Sequence, residues 1–265
     1  MPFATNAVDG TRTYFEDAGG EGPPLLFMYG LMDPVPAARA LPIAKRLRKH
    51  ARVIYVDHRG HGQSDKPHDA AAYALKLRVE DVVSVIDKLG LESAHFVGIS
   101  WGARLGFALG EYAPDRIRSL VLSGNQPYAW DPAWHVVQTL TAAMSVAREG
   151  GTPALLRWFE AFVGRPLPRR ERRWLLENDP LALDAAWSAA LSEGAISDRL
   201  SIWKTPCLIA AGENDEFHDS AKLAATEILG ARFVSLAGHD HISALYETDD
   251  LMPGILDLLR SGTLA

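Results

Sequence analysis

The chain has a single cysteine, Cys207, so no disulfide can form within it. That residue sits in the apolar run CLIAAG, where a thiolate is desolvated, so it reads as a buried thiol rather than a nucleophile. No apolar run approaches the ~18 residues needed to cross a membrane. The opening MPFATNAVDGTR has neither a cationic start nor an apolar stretch, so it does not read as a secretory signal. Positive charge is also short. Twenty-seven Lys and Arg against 33 Asp and Glu leave a formal net charge of −6. This argues against nucleic acid or an anionic membrane as the main partner. The one basic run, RPLPRRERRW at 165–174, reads as a solvated helix face. Internal repeats and low-complexity segments are missing too. What is left is a cytoplasmic globular protein. Hydrophobic residues make up 48% and charged residues 23% of the 265. Such a chain can bury a large core as one domain, or as one domain with an insertion.

What is present is a rhythm. Short apolar runs at 23–30, 52–60, 94–100, 117–124, 206–213 and 231–238 alternate with stretches of helical periodicity at 37–50, 77–90, 101–114 and 220–230. Most of the runs are continuously apolar, as in a parallel sheet covered on both faces. The series predicts an α/β fold with a doubly wound, mostly parallel sheet. The first segment, with DG between two extended runs, predicts an antiparallel hairpin at the sheet edge. The rhythm stops between about 125 and 200 and resumes at Pro206. An inserted helical cap at 126–196 explains this, with 1–125 and 197–265 forming the core domain.

The chemistry concentrates at Gly98-Ile99-Ser100-Trp101-Gly102. This G-x-S-x-G follows an apolar strand and opens a helix, as a nucleophile elbow requires. Its turn is so tight that the flanking residues must lack side chains. The elbow lifts the Ser100 hydroxyl above the sheet. It also sets the Trp101 N–H at a helix N-terminus, where an oxyanion is stabilised.

With these residues the chain resembles the α/β-hydrolase family along nearly its whole length, as a serine esterase- or lactonase-like member. LLFMYGLM (25–32) looks like the strand and oxyanion turn, DHRGHGQSDKP (57–67) like the family's D-x-R-G-x-G-x-S-x-x-P loop, and VGISWGA like the elbow. PCLIAAGENDEF (206–217) resembles the strand ending in the acid, and VSLAGHDHISALYE (234–247) the histidine loop. The resemblance implies Asp215 as the acid, leaving Glu213 and Glu216 as solvated loop charges. It implies a second oxyanion donor in the backbone N–H of Leu31. Tyr29 departs from the pattern by standing where the family has histidine.

Two histidines compete for the base. Gly238-His239 copies the family's Gly-His pair. The family's L-P-G-x-G-H spacing instead fits Leu236 to His241, with Asp240 in place of a glycine, and this register is preferred. His58 and His61 in DHRGHG belong to a structural loop. A metal is rejected, because the His-Asp-His stretch lacks the further convergent ligands that zinc needs.

The expectation is a cofactor-independent serine hydrolase cleaving a small-molecule ester or lactone through Ser100, Asp215 and His241. Tyr29, Trp130 and Trp134 are the substrate-binding candidates, though each tryptophan has packing within the cap as its alternative. C–C bond hydrolysis or perhydrolysis on the same residues is a second expectation. A ligand-sensing homologue without catalysis is a third. Aspartate-dependent dehalogenases and epoxide hydrolases are disfavoured by the serine.

Overall fold

A computed structural model of the protein describes residues 2–261. The six apolar runs form β3 (Pro24–Met28), β4 (Arg52–Val56), β5 (Ala94–Ile99), β6 (Ile117–Ser123), β7 (Cys207–Gly212) and β8 (Arg232–Leu236), all parallel to one another. Ahead of them β1 (Phe3–Thr5) and β2 (Arg12–Asp17) make the expected hairpin, and β2 pairs antiparallel with β4. The sheet order is β1-β2-β4-β3-β5-β6-β7-β8. After β3 the chain moves outward to β4, then returns to the other side for β5. The strand order therefore reverses between β3 and β5. The crevice at such a switch point, beyond the strands' carboxyl ends, is where doubly wound sheets place ligands.

Both faces are covered, which is why β5 and β7 are buried at every residue. On one face lie α1 (Val35–Ala40), α2 (Pro42–Leu47) and, near the end of the chain, α10 (Met252–Ser261). On the other lie α3 (Leu75–Lys88), α4 (Trp101–Tyr112) and α8 (His218–Glu227). Each fully buried Leu, Ile, Val or Phe in these layers stabilises the fold by ~1.5–3 kcal/mol. The expected helix over 37–50 is divided. Pro42 has no N–H to give, and Leu41 before it is extended at ψ 140, so α1 ends and α2 begins there.

Between β6 and β7 run α5 (His135–Phe162), α6 (Arg169–Leu176) and α7 (Pro180–Leu191). The left-handed backbone of Gly151, with Pro153 just after it, kinks α5. Both necks of this segment are held by Arg104 on α4. Its buried guanidinium donates to the carbonyls of Gln126, Tyr128 and Gly194 at 2.9, 2.6 and 3.1 Å. The basic run becomes the solvent face of α6, which buries Trp174 and Leu175. Cys207 is fully buried, and burial pushes its thiol well above the ordinary range.

Candidate active site

Four chain crossings at the carboxyl end of the sheet meet at one point. β5 runs straight into α4 through Ser100, which is forced to φ 54 and ψ −114. The turn closes because its flanks are glycine. A Cβ at Gly98 would lie 2.3 Å from the Gly102 carbonyl oxygen, and one at Gly102 2.4 Å from that of Met28. Backbone bonds lock the elbow. Ser100 N–H donates to Ser123 O at 2.7 Å, and Gly102 N–H to Tyr29 O at 2.9 Å.

Asp215 stands just past β7, and only 7% of it is exposed. One carboxylate oxygen accepts the Phe217 N–H at 3.0 Å, and the other accepts from His241 Nδ1 at 2.8 Å. Because a carboxylate only accepts, Nδ1 carries the proton and Nε2 presents its lone pair. Ser100 Oγ lies 3.1 Å from that Nε2 and donates to it. His241 is the first residue of α9 (His241–Ala244), and Asp240 caps this turn. The Asp240 carboxylate accepts the Ser243 N–H at 2.7 Å, and the Ser243 hydroxyl accepts the Asp240 N–H at 2.9 Å. The Ser243 N–H and then its hydroxyl, which also donates to the carboxylate at 2.7 Å, hold the Asp240 carboxyl below its usual range. Asp240 thus orders the turn from which the imidazole projects. His239 points elsewhere, with its ring 3.7 Å from Glu247.

The turn after β3 faces the serine. Among the described residues, neither the Leu31 N–H nor the Trp101 N–H has an acceptor within the protein. Tyr29 opens this turn, and its carbonyl is held from behind by His58 Nε2–H at 2.9 Å. His58 and His61 are buried with rings 5.6 Å apart, and burial keeps both neutral, His61 down to about pH 4. The 57–67 loop is a brace rather than a reactive element. Asp57 accepts the Val35 and Gln63 N–H groups at 2.6 and 2.8 Å, and Arg59 pairs with buried Asp81 at 2.6 Å.

Trp130 and Trp134 do not touch His241 directly. Their rings lie 5.7 and 5.9 Å from Phe217, whose ring lies 5.7 Å from that of His241. Trp130 also packs against Trp187 and under the Arg104 guanidinium, while Trp134 stays half-buried. Sequence reasoning misses Phe217; its position two residues after the acid is the available signal. Asn178, also missed, donates to the Met32 carbonyl at 2.9 Å and ties the turn to the helices above it. Glu213 and Glu216 are exposed, but they are not free loop charges. Glu213 accepts the Gly238 N–H at 3.0 Å, and Glu216 accepts those of His135 and Val136 at 2.8 and 2.6 Å.

The profile of the α/β hydrolase fold matches residues 23–245. The chain belongs to the α/β hydrolase fold family. It is similar to 3-oxoadipate enol-lactonase 1 of Acinetobacter baylyi, 28% identical over 66% of this chain and 65% of that enzyme. It is also similar to the 2-hydroxymuconate semialdehyde hydrolase of a Pseudomonas species, 38% identical over 44% of this chain and 41% of that one. These alignments thus span less than two thirds of either relative. Among solved structures, the enol-lactonase of Burkholderia xenovorans superposes with a TM-score of 0.80 at 26% identity, covering 97% of this chain and 99% of that one. That profile match, over most of this chain, is what shows its family. Among its described residues no helix is long and apolar enough to cross a membrane.

Proposed function

We propose that this α/β hydrolase cleaves a small carboxylic ester or lactone through an acyl-enzyme on Ser100. The observation that carries the reading is the unbroken hydrogen-bond chain from Ser100 Oγ to His241 Nε2 at 3.1 Å and from Nδ1 to Asp215 at 2.8 Å. In the first step the hydroxyl proton passes to Nε2 as Oγ bonds the carbonyl carbon. The oxyanion then sits between the N–H groups of Leu31 and Trp101, which are preorganised and unpaired; one such donor is worth ~10²–10³ in rate. The imidazolium, stabilised by Asp215, protonates the leaving alkoxide as the C–O bond breaks. Water then gives its proton to the same nitrogen, attacks the acyl carbon, and releases the acid with Ser100 restored. The aromatic wall of Phe217, Trp130 and Trp134 suits an apolar acyl or alcohol group.

The 126–196 segment acts in this reading as the cap over the site, and the setting is cytoplasmic. C–C bond hydrolysis on the same three residues is a second reading, favoured by the semialdehyde hydrolase among the similar proteins. Turnover of a short p-nitrophenyl ester tests the proposal. His241→Ala is expected to lose ~10³-fold or more, and His239→Ala to keep most activity. Reversed results move the base to His239. Two active variants end the serine-hydrolase reading.

A further inference from the structure

The turn beyond β3 carries a carboxylate that the mechanism does not use. Among the described residues, Met32 is one of two non-glycine residues with a left-handed backbone, at φ 73. It folds Asp33 back toward Gly30. A Cβ built on Gly30 would lie 3.0 Å from Asp33 Oδ2 and 4.0 Å from Ser100 Oγ. The two oxygens are thus within about 7 Å of each other.

Among the described residues, the Asp33 carboxylate has no hydrogen bond and no ion pair. Its surroundings are acidic. Burial and the charge of Glu171 push its carboxyl up to about 7. Burial first, then Asp33, Tyr246 and Glu171, push the Tyr29 phenol well up. Tyr29 is only 8% exposed, yet its hydroxyl has no partner among the described residues. Glu171 is also unpaired among them. The arginines beside it are committed elsewhere: Arg172 to Glu160 at 3.2 Å, Arg173 to Glu177 at 3.4 Å, and Arg170 over the Trp174 ring at 4.8 Å. Two half-buried carboxylates and a buried phenol thus act on one another here; among the described residues none of the three has an ion pair, and the charges of Arg165 and Arg170 reach the neighbouring Tyr246.

We propose that Asp33, Tyr29 and Glu171 form a subsite for a primary ammonium group carried by the substrate close to the scissile carbonyl. The proposal rests on the serine-hydrolase reading above and narrows its substrate class to amino esters or amino lactones. The span fits such a group. An N⁺–H···O⁻ bond takes ~2.8 Å. What remains to Oγ, at most about 4 Å, takes no more than three or four zigzagging covalent links of ~1.5 Å each. That puts the nitrogen no more than two carbons from the carbonyl. The ammonium supplies the counter-charge Asp33 lacks, and the Tyr29 oxygen accepts a second N–H.

A matched pair of esters tests this. In p-nitrophenyl 3-aminopropanoate an ammonium replaces the terminal methyl of p-nitrophenyl butanoate, two carbons from the carbonyl. At pH ~8 most of the amine is charged, the ester drawing its pKa only about a unit below the ~10.4 of lysine. With kcat/KM scaled by each ester's rate with hydroxide, the pair is expected to favour the ammonium by at least ~10-fold, as one charged hydrogen bond gives. The ratio is expected to fall toward one in Asp33→Asn, mainly through KM, and to be partly kept in Asp33→Glu. Butanoate turnover with no ammonium preference overturns the subsite and leaves the hydrolase reading standing, as does a preference that Asp33→Asn keeps. No turnover of either ester ends both.

Discussion

Ser100 sits at φ 54, a region open to glycine and strained for other residues. Replacing it by glycine and by alanine separates backbone strain from chemistry. Both variants lose the hydroxyl and its 3.1 Å bond to His241, so that loss cancels in the comparison. Alanine keeps the Cβ and the strain, which costs ~1–3 kcal/mol at such a position. Glycine relieves the strain but adds ~0.5–1 kcal/mol of backbone entropy lost on folding. The glycine variant is therefore expected to be the more stable by up to ~2.5 kcal/mol. At ~2–4 °C per kcal/mol, its thermal midpoint is up to ~10 °C higher. Calorimetric melts of the two proteins, with guanidinium titrations as a second readout, measure the difference. Both variants are expected to be inactive. A glycine variant melting below the alanine variant refutes the strained elbow.

Gly124 is left-handed at φ +72, and a Cβ there would lie 3.2 Å from His241 Cε1. Gly124→Ala is expected to lower kcat by ~10-fold or more by displacing the imidazole; an unchanged kcat contradicts that packing. Arg59→Met leaves Asp81, 3% exposed, as a buried charge that has lost its ion pair. A loss of ~3–5 kcal/mol is expected in chemical denaturation, and one under ~1 kcal/mol removes the brace argument. His61 stays neutral when folded down to about pH 4 because burial disfavours its charge, while the unfolded chain protonates it near 6.5. The unfolded state takes up the proton first, so His61 drains stability as pH falls from 6.5 toward 4. His61→Gln is expected to flatten the fall of the melting temperature over that window, and an unaltered slope counts against it.

The parallel sheet was legible because a strand buried on both faces must be nearly all apolar, as β7 is throughout and β5 is but for His95. β8 was legible only in outline, since at the sheet edge its residues stay half-exposed. The split at Pro42 shows helical periodicity running past a proline that local backbone chemistry does not allow it to cross. Ser100, Asp215 and His241 were readable because each lies at a strand end whose loop has a tight geometric need, met by glycines or by a cap. Asp33 and Phe217 were not. Nothing in the order of residues says that Asp33 lacks a counter-charge or that Phe217 bridges the tryptophans to His241. Those facts depend on which way α6 and the start of α5 lie over the sheet, and periodicity does not report it.

The central claim is that Ser100 is the nucleophile, activated by His241. A p-nitrophenyl alkylphosphonate measures this directly, because its phosphorus takes the place of the acyl carbon and its adduct is not turned over. One equivalent of nitrophenolate is expected per chain, with the phosphonyl mass on the peptide containing Ser100. Labelling should be absent in Ser100→Ala and slowed by ~10³-fold in His241→Ala. No adduct, or an adduct on another residue, contradicts the account.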